Sequence, residues 1–320
     1  MHCLLLISTL LFHAPSKDTL NPHKKVITTY FFKQTLSFKN GGLKVKYALN
    51  KKPSIKKPKA LEQCCWRLTF EDNFDSLDTK KWRLGQPWGE FHPGNPHQYY
   101  SKEMINTDSG YLHLRGCYRP KRFASGDSQI IIPFAVGLIN SDISFQQQFG
   151  YFEIRSKNPS GAATWPAFWL TGAHKWPPEI DIFEMYGKKN GSTVHNQYAT
   201  IHYGQTDTRS RGYLSKKINL PNNTDTMFHV YACEWDPEYI KFYTDGKAVA
   251  FIRMNARLRA WMNDEMVVII NNSFDAAYLP KDQLEASTIS NDFVIDWVRV
   301  WERVPNIDEA QKMDKDKPTP

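Results

Sequence analysis

The segment Trp176-Pro-Pro-Glu179-Ile-Asp181-Ile-Phe-Glu184-Met-Tyr-Gly187 sets three carboxylates within six residues, among neighbours that are otherwise apolar and strand-forming. Such a cluster suits the cleavage of glycosidic bonds. Retaining glycoside hydrolysis needs one carboxylate ionised as nucleophile and one kept protonated as acid, about 5 Å apart. In a regular strand Glu179 and Asp181 share a face, whereas Glu184 points to the other. A β-bulge at Ile182 or Phe183 resolves the conflict, returning Glu184 to the face of Glu179 and sending the apolar side chains into the core. Three acids so placed cannot all ionise cheaply, so they share protons. A solvated edge strand with ordinary surface acids is the competing interpretation. The flanking Trp-Pro-Pro and Met-Tyr-Gly argue against it.

The elements that must position these acids form an ordered series. Phe149-Gly-Tyr-Phe-Glu-Ile-Arg155 and Gly161-Ala-Ala-Thr-Trp-Pro-Ala-Phe-Trp169 precede the acid segment. Phe228-His-Val-Tyr-Ala-Cys-Glu-Trp235, Ile240-Lys-Phe-Tyr-Thr-Asp-Gly246 and Val294-Ile-Asp-Trp-Val-Arg-Val-Trp301 follow it. Over residues 66–303 this series resembles the family 16 glycoside hydrolases, in the branch with the longer, bulged Glu-x-Asp-x-x-Glu motif. The resemblance implies an all-β fold, a two-sheet β-sandwich jelly roll with a concave substrate cleft. It implies Glu179 as nucleophile, Glu184 as acid and then base, and Asp181 as the partner that tunes both, with no cofactor required. It also implies a structural calcium away from the acids, with Asp296 as one ligand. Asn73, where the family commonly carries Glu, weakens that site.

Several residues around the acids are candidates to hold sugar. Trp165 and Trp169 flank Pro166 and lie four apart, and one is expected in the cleft and the other in the core, with Trp165 assigned to the cleft. Trp176 precedes Glu179 by three residues, at the mouth of the site. His202 lies on the strand that the resemblance places beside the acids, where an imidazole bonds a hydroxyl or a carboxylate; a satisfied core histidine is the alternative. Asn140 and Asn271 end or interrupt apolar strands and are candidates to read sugar hydroxyls, against turn or ladder roles.

Composition bounds the rest. With 320 residues, 41% hydrophobic and 14% aromatic, the chain can bury one large core, and its aromatics suit stacking on the apolar faces of pyranose rings. The net charge of +8 invites a nucleic-acid partner until it is located. Residues 21–60 hold eleven Lys and no acid, which leaves 29 basic against 32 acidic residues from Leu61 onward, about −3. The basic arm therefore gives no reason to expect nucleic acid in the catalytic region. Lys51 to Lys59 is expected to be a solvated linker, with contact to an acidic polymer or membrane as the alternative.

The expected organisation is an N-terminal, signal-like and Lys-rich extension over 1–60, poorly ordered, a catalytic domain over 61–305 and a polar tail over 306–320. The apolar run from Cys3 to Phe12 is too short to span a bilayer and is read as the core of a secretion signal, although no basic residue precedes it. A secreted monomer acting on polysaccharide, without stable membrane insertion, is the expectation. The five cysteines show no zinc spacing, and one of Cys64 or Cys65 paired with Cys117 stays open against free thiols. Laminarin-type β-1,3-glucan is the preferred substrate. Agars, porphyrans and carrageenans follow, with Lys188, Lys189, Arg209 and Arg211 placed to neutralise sulfate esters. Transglycosylation and non-catalytic glycan recognition on the same scaffold remain as further alternatives.

Overall fold

Along the strand Tyr111–Ser125, Leu112 and Leu114 are fully buried while Tyr111 and His113 are not, the period-two pattern of a half-buried strand. The same alternation recurs through the chain and builds two sheets around a shared core. The computed structural model describes residues 33–39, 42–48, 66–91, 97–125, 128–159, 161, 163–187, 196–205, 211–220, 224–275 and 291–304. The expectations for the signal-like run, Cys64, Cys65, Lys51 to Lys59, Lys188, Lys189, Arg209 and the tail lie outside these residues.

The chain divides into two units, Met1–Lys56 and Lys57–Pro320. In the first, Lys33–Lys39 and Gly42–Ala48 pair as an antiparallel hairpin, Lys33 opposite Ala48 and Lys39 opposite Gly42. Alternating Leu36, Phe38 and Leu43, Val45, Tyr47 give it a strand pattern that the lysines obscure.

The second unit holds a ten-stranded and a seven-stranded sheet. The larger runs in the order Lys247–Arg253, Tyr239–Thr244, His229–Trp235, Gly150–Lys157, Asn291–Arg303, Tyr111–Ser125, Ser128–Val136, Gln98–Tyr100. Trp66–Asp72 also pairs with Asn291–Arg303, and Ile105–Asp108 with Tyr111–Ser125. The smaller runs Gly212–Asn219, Asn196–Tyr203, Glu179–Glu184, Thr164–Gly172, Met266–Phe274, Leu138–Asn140, Arg83–Leu84. Phe152 and Ile154 from the larger sheet meet Phe168, Leu170, Ile180 and Ile182 from the smaller in one apolar cluster, so this is a two-sheet jelly roll. Its single described α-helix, Ala256–Trp261, starts where Asn255 Oδ1 accepts the Leu258 N–H at 2.9 Å. No described helix is long and apolar enough to cross a membrane.

The Asp296 expectation is corrected here. Its carboxylate is ion-paired with Arg155, while Arg299 reaches Asn73 Oδ1 at 3.5 Å. Both side chains that the resemblance would offer to calcium thus sit beside guanidinium groups, whose positive charge repels a cation. This donor set does not suit a calcium ion. Among the described cysteines, Cys117 and Cys233 are free thiols, with Cys117 Sγ 3.5 Å from Met104 Sδ.

Candidate active site

The acid strand pairs on both sides, and both ladders slip where the sequence requires it. Against Thr164–Gly172, Trp169 faces Asp181 but the next partners are Phe168 and Phe183; against Asn196–Tyr203 the register shifts between Asp181 and Glu184. The extra residue buries Ile182 and Phe183 completely, on the side of Ile180. Glu179, Asp181 and Glu184 thereby line one cavity of about 210 Å³ on the opposite face. Gly187 closes the segment. Its N–H donates to the Thr164 carbonyl at 2.8 Å, and a Cβ there would strike the Gly161 carbonyl, so only glycine fits the turn.

Each outer acid is held by an indole. Trp176 Nε1 donates to Glu179 Oε2 at 2.8 Å, and Trp165 Nε1 donates to Glu184 Oε1 at 3.0 Å, where the Tyr186 hydroxyl also donates at 3.0 Å. Asp181 lies between them, 4% exposed. Burial and the Asp181 charge push Glu179 up to about 8, against the pull of His202 and the Trp176 N–H. Burial, and then the Glu184 charge, raises Asp181 well above the usual carboxylate range. Burial also raises Glu184, although its two donors oppose the shift. The three groups consequently hold fewer than three negative charges near neutrality.

His202 faces Glu179 across the neighbouring strand, with Nε2 3.5 Å from Glu179 Oε1 and 3.3 Å from Asp181 Oδ2. It is a site residue and not a core histidine. Trp165 lines the cavity as expected, but so does Trp169, which is a correction. A spacing of four in a strand keeps side chains on one face, and the small Ala167 between the two leaves the floor open. Asn271 also lines the cavity, its Oδ1 accepting from Trp169 Nε1 at 2.7 Å and its Nδ2 donating to Ser273 Oγ at 2.8 Å. Asn140 does not reach it. At 2% exposure, its Nδ2 donates to Gln86 at 3.1 Å and its Oδ1 accepts the Asp142 N–H at 2.9 Å, the ladder and turn role.

A second cavity of about 210 Å³ flanks the first, lined by Glu184, Tyr186, Tyr198, Thr200, His202, Tyr213 and Ser215. Glu184 lines both. Tyr198 and Thr200 alternate with His202 and could have been found from it by period two; Tyr213 and Ser215 belong to an edge strand whose pairing no local signal announces. Gln98 and Tyr100, on the strand Gln98–Tyr100, also line the first cavity.

Against known families, residues 64–303 match the model of the GH16 domain of beta-porphyranases A–D. The chain belongs to glycoside hydrolase family 16. An endo-1,3-1,4-beta-glycanase of Rhizobium meliloti (strain 1021) is 32% identical over 257 residues, covering 73% of this chain and 52% of that protein. The GH16 chain thus spans about half the length of this relative. A beta-glucanase of Rhodothermus marinus is 29% identical over 261 residues, 74% of this chain and 85% of that one. The laminarinase catalytic domain from Thermotoga maritima MSB8 shares the GH16 fold, with a TM-score of 0.58 at 21% identity over 75% of this chain and 99% of that one.

Proposed function

We propose that this GH16 protein is a retaining, endo-acting hydrolase of a β-linked polysaccharide, with β-1,3-glucan of the laminarin type as substrate. One observation carries the assignment of roles: Glu184 lines both cavities, whereas Glu179 lines only the first. The residue that protonates a glycosidic oxygen must stand where one sugar gives way to the next. The nucleophile must stand on the side of the sugar that it captures.

Glu184 donates its proton to the glycosidic oxygen as Glu179 attacks the anomeric carbon of the sugar over Trp165 and Trp169, and the leaving chain occupies the cavity beside Tyr186 and Tyr213. Glu184 then takes a proton from water, which releases the covalent glycosyl group with retained configuration. Asp181 stores a proton between the two. With Asp181 neutral, the charge that raises Glu179 is gone, and the Trp176 N–H favours the ionised nucleophile. The cavity aromatics give a flat apolar bed for pyranose rings, and the names of the glucanase relatives support the glucan.

A sulfated galactan is the second reading, favoured by the porphyranase description of the matching family and by Arg211, whose guanidinium sits 5.7 Å from the Trp176 ring centre at the mouth of the site. Action as a secreted monomer, and hydrolysis over transfer to another sugar, belong to the same proposal. The test is reducing-end release from laminarin, mixed-linkage glucan, agarose, porphyran and carrageenan by the protein and by its Glu179→Gln variant. Release from laminarin, lost by a factor of at least about 10³ in the variant, is expected. Full activity in the variant overturns the nucleophile, and release from porphyran alone replaces the glucan.

A further inference from the structure

His202 stands apart from the other histidines that meet acids in this protein. His113 with Asp292, His174 with Asp264 and His229 with Asp245 each bring Nδ1 to 2.8 Å from a carboxylate oxygen in a hydrogen bond. His202 Nε2 lies 3.3 Å from Asp181 Oδ2 and 3.5 Å from Glu179 Oε1. Asp181 Oδ2 is buried and has no hydrogen bond, although its residue is only 4% exposed. His202 thus stands within ion-pair distance of both acids without the short hydrogen bond that the other three histidines make.

That arrangement offers one imidazole nitrogen and two carboxylate oxygens to a metal ion. Ligands about 2.0–2.1 Å from a tetrahedral zinc lie about 3.3–3.4 Å from each other. The two His202 distances match this edge, and the three ligand atoms lie within 4.8 Å of one another, so zinc binding draws the two carboxylates together. One imidazole nitrogen with two carboxylate oxygens is a donor set for zinc, which accepts mixed nitrogen and oxygen ligands and keeps a fourth position for water. Calcium and magnesium demand more oxygens than these side chains supply. We propose that Glu179, Asp181 and His202 bind one zinc ion, which inhibits the enzyme reversibly by occupying Glu179. The binding half stands on geometry alone, and the inhibitory half rests on Glu179 as nucleophile.

Calorimetric titration of the full chain with zinc chloride, beside magnesium and calcium chlorides, tests the first half. One zinc per chain, released by a chelator and weakened at least ten-fold in folded His202→Gln and Asp181→Asn variants, is expected. His174→Ala, which removes an exposed histidine outside the site, should leave this affinity unchanged. Zinc affinity unaltered in both His202→Gln and Asp181→Asn, or magnesium bound as tightly as zinc, overturns the site. Polysaccharide hydrolysis in the presence of zinc tests the second half, with chelator-reversible loss expected. Zinc held through His202 with no loss of hydrolysis would overturn inhibition and remove Glu179 from the nucleophile role, while the calorimetric result would still support the site.

Discussion

The Trp176 indole donates to Glu179 at 2.8 Å across the Pro177-Pro178 turn that delivers the acid strand. A residue outside the strand thereby sets the charge of one inside it. The bond favours the ionised carboxylate and opposes burial, which pushes Glu179 up to about 8.

Removing that donor moves the nucleophile in a defined direction. In Trp176→Phe the pKa of Glu179 rises further, so the acidic limb of the kcat/KM–pH profile should shift about one unit to higher pH. An unmoved limb would show that the indole does not control this carboxylate.

Asp181→Asn should act with the opposite sign. The Asp181 charge is the second cause of the raised Glu179, after burial. Asp181 contributes that charge only after it gives up its stored proton, and asparagine never does, so Glu179 completes its ionisation at lower pH and the acidic limb moves down, while kcat falls at least about ten-fold because the proton store is lost. A profile with both limbs in place would count against the coupling.

Trp169 lines the first cavity, and under the proposed function its loss should appear in binding. Trp169→Ala is expected to raise KM on laminarin oligosaccharides about ten-fold, equivalent to a stacking contribution of about 1.4 kcal/mol, with a smaller change in kcat. A lower melting temperature with unaltered KM would return it to a purely structural role.

Glu153 makes a prediction about stability, far from chemistry. It is 2% exposed on the outer side of Gly150–Lys157, accepts from Trp301 Nε1 at 3.2 Å, and is pushed up to about 7 by burial despite Arg299. An acid whose folded pKa is raised destabilises the fold as pH climbs. Below about pH 4 both states hold the proton and nothing is lost; between there and about 7 the unfolded chain ionises first, and the cost grows to the order of 3 kcal/mol. Glu153→Gln keeps an acceptor for Trp301 and removes this cost, so its melting temperature should rise by about 5 °C at pH 8 and stay unchanged at pH 4. Equal melting at both pH values would show that Glu153 ionises freely.

What was legible in the chain follows from local period. Glu179, Asp181 and Glu184 among Ile180, Ile182 and Phe183 demand a strand with a slip, because only a slip puts every acid on one face and every apolar side chain on the other. Strand period also puts Trp165 and Trp169, four apart, on one face, and both line the cavity. The expectation that one of them is core fails because the segment runs through Pro166 as one strand, Thr164–Gly172.

Other features belong to distance in space. Asn140 carries the same amide as Asn271 and ends a similar apolar strand, but Gln86 covers it from a loop 54 residues away. Asp296 sits where the resemblance predicts a calcium ligand, and Arg155 from the adjacent strand takes the charge instead. The amino-acid sequence by itself determined that Glu179, Asp181 and Glu184 gather on one face, since type and spacing along one strand suffice for that. Only the tertiary structure decided that Glu184 divides two cavities and that His202 stands within 3.5 Å of two acids, because strand neighbours distant in the chain set those relations.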